Sequence, residues 1–243
     1  ADKAATLTIN NDTDYEVDVA ACLAEDTHIR AAGEGPQVLV FHTHASESYT
    51  PDAAFPYTPT EPERTTDTRY NVVRVGDELC ALEERGIETV HLRSLFDTPT
   101  YAGSYDRSLE AVEQALAEYP SVKVVIDLHR DSILTDEGVA YRTSCTIEGT
   151  ETAQLMFVVG TDAGGLYHPD WRENLSFAST LQYALNRAYP SLMRPLNLRT
   201  QRFDQHASPG SLLIEVGSSG NTLPEALSAV RLFADVLADE MTG

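Results

Sequence analysis

Short apolar runs alternate with amphipathic segments along most of this 243-residue chain. Uninterrupted apolar runs of this length are typical of strands that are covered on both faces. The runs are VLVF, VVI, LMFVV and SLLI. The amphipathic segments, with apolar side chains at helical spacing, begin at Asn71, Tyr105, Asn174 and Thr222. This alternation predicts an α/β fold with a mostly parallel central sheet and helices on both faces.

Length and composition favour a single catalytic domain over residues 1–243. A hydrophobic content of 42% can supply a sizeable core. Residues 1–36 are expected to form a lead-in that contains an opening strand in TLTINND. The three cysteines have irregular spacing, which predicts neither a disulfide framework nor a zinc module. The 38 acidic and 17 basic residues give a net charge of −21, which disfavours nucleic acid as a partner.

Histidines and carboxylates follow three of the predicted strands. VLVF runs into His42 and His44, with Glu47 close by; VVIDL ends in His129, and SLLI runs into Glu215. Ligands of open α/β sheets bind beyond the carboxyl ends of the strands. Two imidazoles and one carboxylate, with a fourth position open, are the ligands of a catalytic zinc ion. Such an ion activates water and polarises a carbonyl group, which indicates hydrolysis of an amide with Glu215 accepting the proton of the water.

Several assignments remain open from the residues alone. We expect at most one of His42 and His44 to join the site unless the strand has ended before them. Glu47 is either a ligand or a cap of a local turn, and the alternative role of Glu215 is an ion pair with Arg130. The side chains expected to contact substrate or support the ligands are His42, Arg130, Asp131 and Asn221.

Five stretches of the sequence, in this order, resemble the stage II sporulation protein P family of spore-forming Gram-positive bacteria. They are VLVFHTHASESY, NVVRVGDELCALEERGI, VVIDLHRDS, FVVGTD and SPGSLLIEVGSSGNTLPEA. The resemblance extends from Val38 to the C-terminus. It implies a zinc-dependent N-acetylmuramoyl-L-alanine amidase, similar in fold to the amidase-3 class, that remodels peptidoglycan during engulfment of the forespore. Members of the family are also credited with endopeptidase activity on peptide cross-links.

The resemblance also assigns roles to individual residues. His44 and His129 match the two histidine ligands of the zinc ion, and Glu215 matches the catalytic glutamate. The glutamate ligand that precedes the first long helix in the amidase-3 pattern is not found, because DTRY stands directly before NVVRVG. The acidic ligand is therefore Glu47 or Asp67, and His42 remains an alternative to His44.

The resemblance implies action on the outer side of a membrane, usually from an N-terminal transmembrane helix. Because the sequence has no run of about 18 apolar residues, we expect it to be the ectodomain of a longer, membrane-anchored protein. A glycan-cleaving sporulation protein and a membrane docking protein are the implied partners. Two other hypotheses fit the residues: a different zinc carboxypeptidase or deacylase, and a noncatalytic protein that binds the cell wall as a scaffold.

Overall fold

The computed structural model describes residues 6–243, so the first five residues of the expected lead-in lie outside the described part. The strands are β1 (Ile9–Asn11), β2 (Val38–Phe41), β3 (Thr89–His91), β4 (Val124–Asp131), β5 (Ser144–Ile147), β6 (Thr150–Ala153), β7 (Leu155–Gly160), β8 (Leu196–Arg199) and β9 (Ser211–Ser218). The α-helices are α1 (Val19–Cys22), α2 (Val72–Leu79), α3 (Ser104–Glu118), α4 (Trp171–Ala188) and α5 (Leu223–Thr242).

Seven of the strands form one sheet in the order β1-β8-β7-β9-β4-β2-β3. Every neighbouring pair is parallel except β7 and β9, which are antiparallel. The predicted fold class, a mostly parallel sheet with flanking helices, is therefore confirmed. The sequence did not predict the antiparallel pairing of β7 with β9, the strand β8 or the separate β5–β6 hairpin. In β8, buried leucines alternate with partly exposed polar residues, so it lacks the continuous apolar run of the central strands.

The two faces of the sheet are covered unequally. On one face, α2, α4 and α5 pack against the strands and enclose the main hydrophobic core. On the other face, α3 packs Val112 and Ala115 against Leu39, Phe41 and Val125. Farther along this second face, Phe203 is the residue that packs against a small cluster of β7 and β9 side chains. Helices thus flank both faces, but much of the second face is covered by loop residues.

The helix ends follow from local sequence. Asn71 caps α2 by accepting a hydrogen bond from the backbone N–H of Val73 at 3.0 Å. A 3-10 helix continues α2 and ends at Gly86, whose φ of 76° suits a residue without a side chain. Pro224 lies in the first turn of α5, where its missing N–H costs no helical hydrogen bond. Within residues 6–243, no helix is both long enough and apolar enough to cross a membrane.

Candidate functional site

The three strands that carry the predicted site residues are neighbours in the sheet. β2 pairs with β4, β4 pairs with β9, and both pairings are parallel, so their carboxyl ends meet at one edge. His129 and Glu215 are register partners across β4 and β9, which places their side chains on the same face. This is the face that α3 covers.

His44, Glu47 and His129 come together at this edge. The rings of His44 and His129 meet edge to face, with centroids 5.3 Å apart. Nδ1 of His129 lies 3.4 Å from Oε2 of Glu47. All three residues are at least 94% buried. Packing alone does not require this gathering, because buried ionisable groups are costly unless they are paired or bind a ligand.

Glu215 lies beside this group on the neighbouring strand. Its side chain is partly exposed, yet Oε2 is buried and has no hydrogen-bond partner within residues 6–243. Burial is the main cause that raises the pKa of Glu215 to about 8; His129 opposes this shift, and the nearby carboxylate of Glu47 contributes to it. A carboxyl group with one free oxygen beside the imidazole of His129 can exchange a proton with a bound molecule.

Asp127 holds both histidine-bearing segments. Its Oδ1 lies 2.9 Å from Nε2 of His129. Its carboxylate also accepts two hydrogen bonds from Thr43, one from the backbone N–H at 2.9 Å and one from the hydroxyl at 2.7 Å. Burial alone would lower the pKa of His129, but Asp127 and Glu47 together raise it well above its usual range. The threonine between the two histidines therefore joins the end of β2 to β4.

His42 does not join His44 and His129. Its Nδ1 donates a hydrogen bond to the carbonyl of Leu128 at 2.8 Å, and its Nε2 lies 2.8 Å from Nε2 of His91. Burial, together with the neighbouring His91, lowers the pKa of His42 to about 3. A Cβ atom at Gly76 would stand 2.6 Å from Nε2 of both rings, so α2 approaches this pair through a glycine. Of the two histidines after β2, only His44 reaches the group at the edge.

Glu47 is the acidic side chain that the structure places with the imidazoles. Its Oε2 accepts a hydrogen bond from the backbone N–H of Arg130 at 3.1 Å. Burial opposes ionisation of Glu47, but the hydrogen bond and charge of His129, together with Arg130, hold its pKa below the usual range. Asp67 instead forms an ion pair with Arg69 at 2.6 Å, and none of its contacts in the described part of the chain is with a histidine.

Arg130 supports the loop that follows Glu47. It donates from Nε to the carbonyl of Ser48 at 2.9 Å and from Nη2 to the carbonyl of Glu63 at 2.5 Å. These bonds fix the two ends of the loop formed by residues 49–62. Arg130 is buried and forms no ion pair with Glu215 among the described contacts, so the alternative role considered for Glu215 is not what the structure contains.

Asp131 and Asn221 lie around the site and hold neighbouring segments. Asp131 forms an ion pair with Arg194 at 2.8 Å, which joins the end of β4 to the segment before β8. Asn221 is fully buried in the turn after β9, where its side-chain oxygen accepts hydrogen bonds from the backbone N–H groups of Ser218 and Thr143. Both residues stabilise the shape of this edge, and neither contacts the two imidazoles.

The sequence did not indicate the aromatic residues that surround His44. Tyr101 stacks on the His44 ring, Tyr105 meets it edge to face, and the Ser104 hydroxyl lies 3.4 Å from its Nδ1. Two of these residues begin α3, and Tyr101 lies in the loop before it. Because this contact depends on how an irregular loop folds, no periodic pattern could have revealed it.

Two imidazoles and a carboxylate are the donor types that catalytic zinc sites use. With the side chains in their present positions, no group of three or more His, Cys, Asp or Glu residues in the range 6–243 is arranged to hold a metal ion. His129 instead contacts Asp127 and Glu47 directly. The chemistry of the donors therefore fits zinc, whereas a binding geometry would require these side chains to move.

The sheet and the side chains gathered at its carboxyl edge define an α/β protein with a candidate catalytic site. The family model of stage II sporulation protein P (SpoIIP) matches residues 2–238, and the chain belongs to this family. The resemblance drawn from the five sequence stretches is thus confirmed. The stage II sporulation protein P of Bacillus subtilis (strain 168) is 31% identical over 227 residues, which cover 88% of this chain and 53% of that relative. The chain thus spans about half the length of this relative.

Solved amidase structures are also similar to this chain. The N-acetylmuramoyl-L-alanine amidase AmiC2 of Nostoc punctiforme has a TM-score of 0.49 and 14% identity, over 86% of this chain and 97% of that one. The catalytic domain of CwlV, an N-acetylmuramoyl-L-alanine amidase from Bacillus (Paenibacillus) polymyxa var. colistinus, has a TM-score of 0.47 and 10% identity, over 84% and 98% of the two chains.

Proposed function

We propose that this chain is a zinc-dependent peptidoglycan hydrolase that cleaves the N-acetylmuramoyl-L-alanine amide bond. The observation that carries the proposal is the gathering of His44, Glu47 and His129 at one edge of the sheet, with Glu215 beside them on the next strand. Membership of the stage II sporulation protein P family supports it.

Each side chain has a role in this proposal. His44, Glu47 and His129 hold the zinc ion, which when bound polarises the substrate carbonyl and promotes ionisation of water. Glu215 accepts the proton of the attacking water at its free oxygen and returns it to the amine of the departing L-alanine. Asp127 keeps the ring of His129 in one orientation, as carboxylates behind histidine ligands commonly do.

The biological setting is part of the same proposal. The substrate would be peptidoglycan outside the cytoplasmic membrane, during engulfment of the forespore, and residues 1–243 would act as one catalytic domain of a longer, anchored protein. A second sporulation hydrolase that cleaves glycan and a membrane docking protein would be its partners. Cleavage of peptide cross-links would be an additional activity of the same site.

Metal content is the first test of the zinc site. Elemental analysis of the purified chain should find about one zinc ion per chain, and the variants His44→Ala and His129→Ala should lose it. His28→Asn is a matched control, because the His28 side chain is 79% exposed and pairs with Asp26 away from the site. If the wild-type chain takes up no zinc even when the metal is supplied, the zinc-dependent mechanism is wrong.

The bond that is cleaved can be read from the products of digested peptidoglycan. An amidase releases stem peptides with a free L-alanine amine and leaves glycan strands without peptides. A carboxypeptidase would remove only terminal amino acids, and an endopeptidase would separate cross-linked stems that remain attached to glycan. Binding to peptidoglycan without release of any product would replace the proposal with a noncatalytic scaffold.

A further inference from the structure

Tyr101 covers the imidazole of His44. The two rings are stacked, with centroids 4.3 Å apart and planes inclined by 17°. The Tyr101 side chain is nevertheless 58% exposed, so burial in the core does not explain its position. On the remaining sides, Tyr105 meets the His44 ring edge to face at 5.4 Å and Ser104 lies near its Nδ1. The orientation of His44 is thus defined mainly by aromatic contacts.

The same tyrosine is linked to Glu47 through Arg64. The guanidinium carbon of Arg64 lies 5.2 Å from the centre of the Tyr101 ring, within the range of a cation–π contact. One nitrogen of this guanidinium lies 3.8 Å from Oε1 of Glu47, and another lies 3.1 Å from Oδ2 of Asp97. One aromatic ring therefore contacts His44 directly and Glu47 through a single intervening residue.

The loop that carries Tyr101 is held at both ends. Arg107, from the second turn of α3, donates hydrogen bonds to three loop carbonyls, those of Phe96, Thr100 and Ala102, at 2.6, 2.6 and 3.1 Å. On the other side, Asp97 accepts hydrogen bonds from the backbone N–H and the hydroxyl of Ser46, in the segment between the candidate ligands. These bonds fix the ring of Tyr101 in place although much of it faces water.

We propose that Tyr101 is a positioning residue that sets the ring plane of His44 and, through Arg64, the carboxylate of Glu47. This inference rests on the proposed function, in which both residues bind zinc. The contribution comes from the ring, because the Tyr101 hydroxyl makes no hydrogen bond among the described contacts of residues 6–243. Phenylalanine should therefore replace tyrosine at this position without loss.

The test compares Tyr101→Ala with Tyr101→Phe and with Tyr167→Ala, a control whose side chain is 77% exposed. The readouts are the zinc dissociation constant, by competition with a chelator, and the kcat and KM for soluble peptidoglycan fragments at saturating zinc. We expect Tyr101→Ala to weaken zinc binding about 10-fold and to lower kcat with little change in KM. Tyr101→Phe and Tyr167→Ala should match the wild-type chain.

Two results would overturn the inference. If Tyr101→Ala binds zinc as the wild-type chain does and only KM rises, Tyr101 contacts substrate rather than positioning His44. If Tyr101→Phe is as impaired as Tyr101→Ala, the hydroxyl is the important group. Because Tyr101 is largely exposed, the alanine variant should remain folded, which its urea unfolding midpoint will check.

A third readout separates this inference from the proposed function. In the metal-free chain, NMR of the His44 ring proton reports the stacking directly, and it depends on neither zinc nor activity. Tyr101→Ala should move this resonance downfield, because the shielding by the stacked ring is removed, whereas Tyr167→Ala should leave it unchanged. An unchanged resonance in Tyr101→Ala would refute the positioning role, even if the chain proves to be a zinc amidase.

Discussion

Thr43 donates both its backbone N–H and its hydroxyl to the carboxylate of Asp127, at 2.9 and 2.7 Å. Because Thr43 directly precedes His44, and Asp127 lies 2.9 Å from the ring of His129, one buried carboxylate sets the relative position of two strands and two imidazoles. The three consecutive residues His42, Thr43 and His44 therefore have separate roles. His42 packs toward α2, Thr43 binds Asp127 of β4, and His44 reaches the site.

Replacement of Asp127 by asparagine tests this arrangement. The amide can still accept hydrogen bonds from Thr43, but it carries no charge to hold the His129 ring. We expect zinc affinity and kcat/KM to fall by about 10- to 100-fold, measured by chelator competition and by product release. Asp136→Asn, at an exposed position in the hairpin after β4, is the control. Unchanged zinc affinity in Asp127→Asn would show that Asp127 does not orient a ligand.

Replacement of Glu215 by glutamine should abolish hydrolysis and leave zinc bound. Glutamine keeps the size of the side chain but cannot accept a proton from water, so the chemical step is lost while the metal ligands remain. The loss should be at least about 100-fold in kcat, and elemental analysis should still find the metal. The exposed Glu61→Gln serves as a control. Activity that survives in Glu215→Gln would remove this residue from the mechanism.

Gly76→Ala should destabilise the protein. In an ordinary helix interior this change stabilises by up to about 1 kcal/mol, but here the new Cβ would stand 2.6 Å from Nε2 of His42 and of His91. The overpacking should cost about 1–3 kcal/mol, seen as a lower urea midpoint.

The double variant Gly76→Ala/His91→Ala is the matched comparison, because without the His91 ring the ring of His42 has room to move. The cost of the alanine at position 76 should be smaller in that background. A Gly76→Ala variant as stable as the wild-type chain would mean that α2 does not approach the histidine pair this closely.

Asp204 should make stability depend on pH. It is buried, accepts a hydrogen bond from the Ser108 hydroxyl at 2.6 Å, and burial raises its pKa to about 7. The raised pKa means that the folded state favours the protonated form. The stabilisation is fully present below the unfolded pKa of about 3.9 and is lost as the pH rises through about 7.

Asp204→Asn removes this titration. The free energy of unfolding of the variant, relative to the wild-type chain, should therefore increase between pH 4 and pH 8, by up to about 4 kcal/mol. A difference that stays constant for Asp204→Asn would show that burial does not raise the pKa of Asp204.

The ion pair of Asp131 and Arg194 should contribute little to stability. Both side chains are 21% exposed, and partly solvated pairs usually couple by about 0.2–1 kcal/mol. A double-mutant cycle with Asp131→Asn and Arg194→Gln, followed by urea unfolding, measures this coupling. Hydrolysis should stay within about twofold of wild type. A large loss of activity at unchanged stability would mean that Asp131 reaches the substrate.

The central part of the fold could be predicted because its strands are buried on both faces. VLVF, VVI and SLLI are continuous apolar runs, and the parallel pairing of their strands carries His44, His129 and Glu215 to one edge. β8, which lies next to the edge strand β1, has one half-exposed face and therefore no such run. β7 runs antiparallel to β9, and the β5–β6 hairpin precedes it in the chain. The polar residues of this hairpin form no pattern from which the direction of β7 could be predicted.

The local contacts of the site could be predicted only in part. Alternation along a strand would place His42 and His44 on the same face, because they are two residues apart. They separate because β2 ends at Phe41 and the chain turns from Thr43 onward, which the sequence did not reveal. Glu47 and Tyr101 belong to irregular loops, whose positions are set by tertiary contacts to Arg130, Arg64 and Arg107. The assignment of His44, Glu47 and His129 as metal ligands stays a prediction.

Arg130 has a consequence for how this family can vary. Its hydrogen bonds to the carbonyls of Ser48 and Glu63 hold the two ends of the intervening loop together. The entropic cost of a closed flexible loop grows only with the logarithm of its length. Apart from Phe55, which packs against the core, and Tyr57, which stacks on Tyr70, residues 51–62 can therefore change in length and composition during evolution, while the side chains at the carboxyl edge of β2 and β4 stay where they are.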